Sequence, residues 1–348
     1  MPPFPEGTAG RDDDRGRNAM NRLSRRDFVA LSGAAGLTLA ASGCSRGVQG
    51  EGFPQQDITF IIPNNPGGNF DTFVRAIVPA MERNLPNQVN IIPLNVAAGG
   101  GGKGLADLYR SQPDGYTIGA VNIPGAFTLQ ETMGGNAFEL REMTWLTTLA
   151  QGETYAIAVR PDSPLHTVDD LRALSQQRPV KFASTGPEGT SYSAILVSSQ
   201  IMGVTPQIIT GYSGSADYIV ATMRGDSDCC LATVSTLRSF IEGGTIRVIA
   251  TFEPQSTIPG IPDATSLGLP ELSQITVERM VAAPPGLPDD IKAILNNAIA
   301  AAVADPEVVE WARNAGHHWL PQPAGNGEAV MTVQSAFFDK WKSLLIAG

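Results

Sequence analysis

The sequence predicts an α/β fold in which short strands alternate with helices and the sheets are mainly parallel. Continuous apolar runs such as Ile58–Ile62 are typical of strands that are buried on both faces. Between these runs, apolar residues recur at helical spacing, as Phe73, Val74, Ile77 and Val78 do. Among 348 residues, 37 glycines and 26 prolines supply the many junctions that this alternation needs. The length favours two domains, because single cores stop growing at about 250–300 residues.

Each predicted element rests on a local signal. Asp71 lies in the first turn of the first helix, where the helix dipole favours an acid. Thr167 and Asp170 have the spacing of a capping box, which predicts a helix over 168–174. Pro288 at the first helical position begins a late helix, and the last third of the chain is expected to be helical. The other helices are predicted at 104–110, 306–314 and 328–345, and the strands at 58–62, 89–96, 116–122, 155–159, 181–184, 207–210, 229–233 and 246–251.

The N-terminus has the features of an export signal. Arg25 and Arg26 precede an apolar run at 28–41, which is shorter than the roughly 20 residues of a membrane-spanning helix. The paired arginines resemble a twin-arginine signal, and the small residues before Cys44 resemble a lipobox. We therefore expect removal of residues 1–43 and lipidation of Cys44. An ordinary core helix, or a plain secretory signal with a chance cysteine, is the alternative.

Two segments flank this signal. Residues 1–19 are polar and do not fit the basic region of a signal, so translation is expected to start at Met20. Residues 44–56 are rich in glycine and polar residues and are expected to form a flexible tether.

Charge and cysteine content exclude several classes of protein. The 24 Lys+Arg and 34 Asp+Glu residues give a formal net charge of −10, so the chain lacks the basic excess of proteins that coat nucleic acid. Three cysteines cannot form a disulfide scaffold. The adjacent Cys229 and Cys230 are expected to be buried in a strand, with a vicinal disulfide as the alternative. The adjacent His317 and His318 would bind a metal poorly without further ligands, so we expect no metal; we also expect no cofactor.

Three glycine-rich loops, at 64–71, 97–102 and 184–191, follow predicted strands and open helices. Ligands of open α/β sheets bind beyond the carboxyl ends of the strands. At that edge, the free N–H groups of a helix N-terminus can bind a carboxylate or a phosphate. Any one loop could be only a tight connection, but three loops of the same kind favour a ligand site.

The glycine run of the second loop does not carry an enzyme motif. Residues 99–104 match G-x-G-x-x-G by letter, but no acid lies about 20 residues further on to bind a ribose hydroxyl. A P-loop is excluded because Ala97 stands where glycine is required and Gly104 stands where Ser or Thr is required. No nucleophile–base pair is visible, so the sequence indicates a binding protein, with an exported α/β enzyme as the weaker alternative.

Several short motifs, in this order, carry a resemblance to one family. They are Ile61-Ile62-Pro63 with Gly67, Gly68 and Asp71, then the segments 99–102, 113–117, 182–186, 212–216, 258–262, 268–270, 283–288 and 305–308, and finally Trp341. Over about 57–345 the chain resembles the substrate-binding proteins of tripartite tricarboxylate transporters, the Bug family. The resemblance implies a two-lobed, type 2 periplasmic binding protein that closes about a hinge. Lobe 1 would comprise 57–150 plus 252–348, and lobe 2 would comprise 151–251.

The resemblance also implies a ligand site in which the first two loops hold a carboxylate and the second lobe contacts the far end of the ligand. Carried over by position, the binding residues are Asn64, Gly67, Gly68, Asp71, Gly99, Gly101, Thr185, Gly186, Ser191, Tyr212 and Gly214. Glu188 and Asp217, if they face the cleft, could pair with an ammonium group. Lys103, at one edge, is the only basic residue of the three loops. We therefore expect a monocarboxylate, dicarboxylate or amino-acid-like ligand rather than citrate.

The implied partners follow from the same resemblance. The protein would be a monomeric receptor, anchored by lipid on the outer face of the cytoplasmic membrane, that delivers its ligand to the subunits of a membrane permease. A solute sensor that passes its closed form to a signalling partner is the alternative. No nucleic-acid partner is expected.

Overall fold

The structure, a computed structural model, describes residues 52–133, 137–187, 189–315, 317 and 319–347. The described strands are β1 Ile58–Ile62, β2 Ile91–Asn95, β3 Thr117–Ile123, β4 Thr144–Trp145, β5 Ala150–Val159, β6 Val180–Ala183, β7 Pro206–Ile209, β8 Cys229–Thr233, β9 Arg247–Thr251 and β10 Thr276–Ala283. The described helices are α1 Asn69–Arg83, α2 Gly102–Arg110, α3 Gly125–Thr132, α4 Val168–Ser175, α5 Thr190–Met202, α6 Ser215–Arg224, α7 Val234–Glu242, α8 Asp289–Val303, α9 Pro306–Asn314 and α10 Gly327–Ala347.

The predicted signal lies outside this description. Arg25, Arg26, the proposed start at Met20 and the proposed lipidation site Cys44 all precede residue 52, so these remain predictions from the sequence. In the part of the chain that the structure describes, no helix has both the length and the apolar character needed to cross a membrane.

The strands form one sheet in the order β2-β1-β3-β10-β5-β8-β6-β7, with β4 paired to β10 and β9 paired to β5. Parallel pairing joins β1, β2 and β3, which we call the first parallel group, and β6, β7 and β8, which we call the second. Between the groups, β10 and β5 run antiparallel to their neighbours. The predicted α/β fold is confirmed, and the parallel strands lie at the two ends of the sheet.

The helical spacing in the first helix reflects a buried face. Phe73, Ile77 and Met81 of α1 have no exposed surface, and they belong to the same core cluster as Phe60 and Ile62 of β1. Full burial of such side chains stabilises a fold by about 1.5–3 kcal/mol each. This packing fixes α1 against β1 and so fixes the loop that connects them.

The strand β10 contradicts the expectation that the last third of the chain is helical. Val277 and the run that ends at Ala283 are buried between β3 and β5. Glu278 and Arg279 interrupt this apolar run, and they are only 3% and 5% exposed. Buried charges need partners, and two of these partners, Gly152 for Glu278 and Glu153 for Arg279, come from a distant segment that the local pattern does not indicate.

Two predicted helix starts have different outcomes. The capping box before α4 is confirmed: the Thr167 hydroxyl accepts a hydrogen bond from the Asp170 N–H, and the Asp170 carboxylate accepts one from the Thr167 N–H. Pro288 is the N-cap of α8 and not its first helical residue, because its ψ of 142° is extended. The helix therefore begins at Asp289.

Cys229 and Cys230 are free, buried thiols that belong to two different core clusters. Successive strand residues point to opposite faces of a sheet, which agrees with the expectation of two core residues. Burial raises the pKa of the Cys230 thiol to about 12. Both side chains act as small hydrophobic residues in this structure.

Candidate functional site

A cavity of about 350 Å³ lies beyond the carboxyl ends of strands from both parallel groups. It is lined by residues that follow β1, β2, β6, β7 and β8, the edge at which α/β sheets bind ligands. Its volume lies near the lower end of the range of about 300–1,000 Å³ for small-molecule pockets. The cavity is therefore suited to a small solute.

Within the described residues, α1, α2, α5, α6 and α7 have their N-termini at this cavity, and α3 lines it with Ala126 and Leu129. The N-caps of α1, α2, α5 and α6 have no side-chain capping bond, and all four are glycines: Gly68, Gly101, Gly189 and Gly214. The fifth helix, α7, is capped by the Thr233 hydroxyl, which accepts from the Thr236 N–H. At α2, the Gly102 and Lys103 N–H groups donate to the Gly99 and Ala98 carbonyls of their own loop. The positive ends of the helix dipoles surround the same space, and the first N–H groups of α1, α5 and α6 lack a side-chain cap. Such a site binds an anion without needing a basic side chain.

The second loop requires glycine where it meets the first. Gly101 has a φ of +96°, a left-handed conformation, and a Cβ atom there would lie 2.4 Å from the Pro63 carbonyl oxygen. Both residues line the cavity. The absence of a side chain at Gly101 thus allows the two loops to approach each other closely.

Strands β3, β10, β5 and β8, which are neighbours in the sheet, form the floor of the cavity. Asn122 of β3 and Arg279 of β10 are directly opposite each other in the ladder, so their side chains share one face. Tyr155 of β5 and Thr233 of β8 form the same kind of pair. Val277 of β10 also lines the cavity. Residues far apart in sequence therefore meet beneath the helix ends.

Arg279 is the only charged side chain that lines the cavity within the described residues. Its Nη1 donates a hydrogen bond to Glu153 Oε2, and its guanidinium carbon lies 4.5 Å from the centre of the Phe73 ring. Glu153 is itself buried, and its Oε1 accepts a hydrogen bond of 3.1 Å from Ser235 Oγ. These contacts fix the guanidinium at the floor.

Neutral hydroxyl and amide groups make up the remaining polar lining. Burial raises the pKa of Tyr155 and of Tyr218 above the usual range, so both phenols remain protonated at neutral pH. Ser191 Oγ lies 2.8 Å from Ser184 Oγ. The Oδ1 atoms of Asn64 and Asn122 are buried without a hydrogen-bond partner in the described chain. Buried polar groups normally have partners, which a bound solute or water can supply here.

The structure brings part of the predicted site set to the cavity. The predicted residues that line it are Asn64, Gly68, Gly101, Thr185, Ser191, Tyr212 and Gly214. Gly67, Gly99 and Gly186 lie in the same loops but do not line it. Glu188 lies outside the described residues.

Asp71 and Asp217 do not line the cavity, and their hydrogen bonds explain why. The Asp71 carboxylate accepts hydrogen bonds from the Gly67 N–H at 2.9 Å, from Arg75 Nε at 2.9 Å and from Asn95 Nδ2 at 3.0 Å. Asp71 thereby stabilises the first loop through hydrogen bonds without lining the cavity itself. Asp217 is exposed and accepts a hydrogen bond of 3.2 Å from the Ser213 N–H at the start of its own helix.

The sequence reasoning missed the floor of the cavity. Asn122, Tyr155 and Arg279 belong to strands rather than to glycine-rich loops. One signal was available, because Glu278 and Arg279 place two charges inside an otherwise apolar run. Buried Arg and Glu residues are rare unless they are paired. This dipeptide therefore indicates charged side chains that have specific partners inside the protein.

Comparison with known proteins identifies the family. The model of the tripartite tricarboxylate transporter family receptor matches residues 73–345, more than half of the chain. The chain belongs to this family. Its members are receptors that bind solutes, and this receptor is not an enzyme. The resemblance that the sequence motifs indicated is confirmed.

Relatives of this receptor extend over most of its length. It is 26% identical over 322 residues to a UPF0065 protein encoded in the tcbD-tcbE intergenic region of Pseudomonas sp. strain P51, covering 90% of this chain and 92% of that protein. The periplasmic binding protein BugD shares the fold at a TM-score of 0.67 and 19% identity, with 84% of this chain and 99% of BugD covered. MatC from Rhodopseudomonas palustris, solved with bound malate, has a TM-score of 0.69 at 20% identity, covering 84% and 100%.

Proposed function

We propose that this receptor is exported, captures a small organic carboxylate in the cavity and delivers it to the membrane permease of a tripartite tricarboxylate-type transporter. The observation that carries the proposal is the convergence of four helices with glycine N-caps on one space, of which α1, α5 and α6 present first-turn N–H groups without a side-chain cap. Their N–H groups provide donors for a carboxylate. The malate bound to MatC, a protein of the same fold, supports this class of ligand.

The ligand class follows from the charges at the lining. Among the described residues, the lining has no carboxylate and one cation, Arg279, whose charge is compensated by Glu153. Asp217 is occupied at its own helix start, so the expected partner for an ammonium group is missing from the described lining. We therefore favour monocarboxylates and dicarboxylates over amino acids, and over ligands with three carboxylates, which would bring more negative charge than this lining neutralises.

The hinge is proposed at the strands that connect the two parallel groups. Lobe 1 would contain 57–150 and 252–348, and lobe 2 would contain 151–251. The first crossing then falls at the start of β5 and the second at the end of β9. Because helix ends from both lobes line the cavity, closing the hinge would surround the ligand with donors.

Export and anchoring complete the proposal. The paired Arg25 and Arg26 would direct export, Cys44 would carry the lipid, and residues 44–56 would form the tether to the membrane. Intact-mass measurement of protein purified from membranes checks this, because cleavage before Cys44 and acylation change the mass by known amounts. An unmodified cysteine in membrane-extracted protein would contradict the anchor.

Ligand capture is tested with Gly214→Asp, compared with Gly214→Ala. A Cβ atom at Gly214 meets nothing within 4 Å, and its φ of −177° is extended backbone that any residue adopts. Aspartate is a favoured N-cap, so the helix should be at least as stable as before. Its carboxylate, however, would occupy the N–H donors and repel an anion.

The assay has two steps. Mass spectrometry of solute released from the purified receptor identifies a candidate, and a thermal-shift panel of organic acids then ranks ligands. At 100 times the dissociation constant, a ligand stabilises the native state by about 2.7 kcal/mol. We expect Gly214→Asp to lose this stabilisation and Gly214→Ala to retain most of it. Equal binding by both variants, or stabilisation of the wild type by citrate alone, would contradict the proposal.

A further inference from the structure

A buried cation at the cavity floor suggests how the receptor distinguishes one acid from another. Arg279 is 5% exposed and is the only charged side chain lining the cavity in the described ranges. A guanidinium group has five N–H donors, and one of its nitrogens, Nη1, is hydrogen-bonded to Glu153. No other side chain of the described residues accepts a hydrogen bond from it. Donors therefore remain for a solute.

The contacts around Arg279 orient it without using all of its donors. Phe73 packs against the face of the guanidinium, and Glu153 binds one edge. Glu153 is fixed in turn by Ser235 Oγ at 3.1 Å. A planar guanidinium that is already oriented loses less conformational entropy when a carboxylate binds its other edge. Glu153 is thus a positioning residue for Arg279.

A purely structural role does not account well for this pair. Buried ion pairs contribute little to stability compared with apolar residues of similar volume, because both charges lose their hydration. β10 is otherwise apolar from Met280 to Ala283, so an apolar residue would suit the strand at this position. A retained charge at the wall of a solute cavity is better explained by recognition of the solute.

A second polar side chain lies beside the guanidinium. Asn122 is directly opposite Arg279 in the antiparallel ladder, and both residues line the cavity. The buried Asn122 Oδ1 has no hydrogen-bond partner in the described chain. The unpaired Oδ1 atom is an acceptor, so it suits a hydroxyl or a water beside the carboxylate rather than the carboxylate itself, whereas the Nδ2 group of the same amide has the donors that a carboxylate accepts from.

We infer that Arg279 determines specificity: together with Asn122 it forms a floor subsite for a second carboxylate, while the helix N-termini hold the first. The inference rests on the proposed function and adds that the receptor prefers dicarboxylates to otherwise identical monocarboxylates. A carboxylate that gains a charge-assisted hydrogen bond in a buried site binds roughly 10- to 100-fold more tightly than its neutral amide.

The test compares each diacid with its own monoamide, which has nearly the same shape but one charge fewer. Succinate with succinamate, glutarate with glutaramate, and adipate with adipamate are titrated calorimetrically into the wild type, Glu153→Gln and the double variant Glu153→Gln/Arg279→Gln. Both variants lack the buried carboxylate, and only the double variant also lacks the cation. Neither leaves Glu153 as an unpaired carboxylate, and the buried Glu278 keeps its hydrogen bonds from Gly152 and Thr276 in both. Circular dichroism and thermal melts verify folding.

The expected result is a roughly 10- to 100-fold preference for at least one diacid over its monoamide in the wild type. Glu153→Gln keeps an amide oxygen that can accept from Arg279 Nη1, so it should retain at least part of this preference. In the double variant the preference should fall to a few-fold, while binding of the monoamide changes little. Should the double variant not fold, Arg279→Lys replaces it. That variant keeps the charge without the planar fork, so it should retain only part of the preference.

Three results would overturn the inference. They are a full preference in the double variant, a preference already lost in Glu153→Gln, and a wild type that binds diacid and monoamide equally. In the last case the proposed function stands, because a carboxylate still binds. If no organic acid binds the wild type at all, the proposed function fails as well, so the two failures can be distinguished.

Discussion

We expect Glu278 to make the stability of this receptor depend on pH in the neutral range. It lies on β10 and is 3% exposed. Its Oε2 accepts a hydrogen bond of 2.9 Å from the Gly152 N–H, and its Oε1 accepts one of 2.8 Å from Thr276 Oγ1. Burial raises the pKa of Glu278 to about 7, although these hydrogen bonds and Arg279 act in the opposite direction; the carboxylate of Glu153 adds to the rise.

The sign and size of the effect follow from linkage. Below pH 4.5, the ordinary pKa, Glu278 is protonated in both the folded and the unfolded state. Between pH 4.5 and about 7 the unfolded state releases its proton first, so the folded state loses relative stability as pH rises. One pKa unit corresponds to about 1.36 kcal/mol, so this shift removes about 3 kcal/mol by pH 8.

The assay measures the free energy of unfolding in urea at pH 5, 6, 7 and 8 for the wild type and Glu278→Gln. Glutamine cannot ionise, so the stability of the wild type relative to the variant should fall by about 3 kcal/mol across the transition. Thr276→Val serves as the control: it removes a donor that favours the ionised form, and so it should move the transition to higher pH. A wild-type minus variant difference that stays constant from pH 5 to pH 8 would refute the reasoning.

Two further predictions concern the loops beside the cavity. Gly101→Ala should destabilise the fold by about 1–3 kcal/mol and weaken acid binding, because its Cβ would lie 2.4 Å from the Pro63 carbonyl oxygen. Gly99→Ala, where φ is +63° but the space is open, is the matched control, and equal urea midpoints for the two variants would contradict the argument. Asp71→Asn should cost about 1–3 kcal/mol at pH 7 by disrupting the hydrogen bonds of the first loop. Although burial raises the pKa of Asp71, hydrogen bonds from Arg75, Gly67 and Asn95 hold it below its usual range, so this cost should shrink as pH falls below 3.8. The control for that series is Asp107→Asn, at an exposed position. An Asp71→Asn variant as stable as the wild type at pH 7 would contradict the proposal that the Asp71 carboxylate stabilises the first loop.

Local signals predicted most of the elements. β1 and β8 begin and end where the apolar runs predicted, and α9 matches its predicted range. The capping box at Thr167 identified the start of α4 because both of its hydrogen bonds lie within one helical turn. In contrast, β10 was missed because the charges of Glu278 and Arg279 interrupt its apolar pattern, and two of their partners, Gly152 and Glu153, lie far away in sequence.

The sequence likewise predicted only part of the candidate site. Glycine-rich turns before helices are visible in sequence, so Gly68, Gly101 and Gly214 could be placed at a ligand-binding edge. The floor could not, because the meeting of Asn122 with Arg279 depends on how β3 and β10 pair. Asp71 shows the opposite error: its position suggested ligand contact, whereas its hydrogen bonds direct it into the loop.

The sequence by itself determined the alternation of strands and helices, the glycine-rich loops, the family and the features of an export signal. The elements, the loops and the signal are recorded in the spacing of residues within one segment, and the family in the order of short motifs along the chain. Only the tertiary structure decided which helix ends face one cavity and which charge lies on its floor. The physical reason is that the β10 ladder joins segments distant in the chain: pairing with β5 brings Glu153 to Arg279, the packing of α1 brings Phe73, and a buried arginine needs such partners.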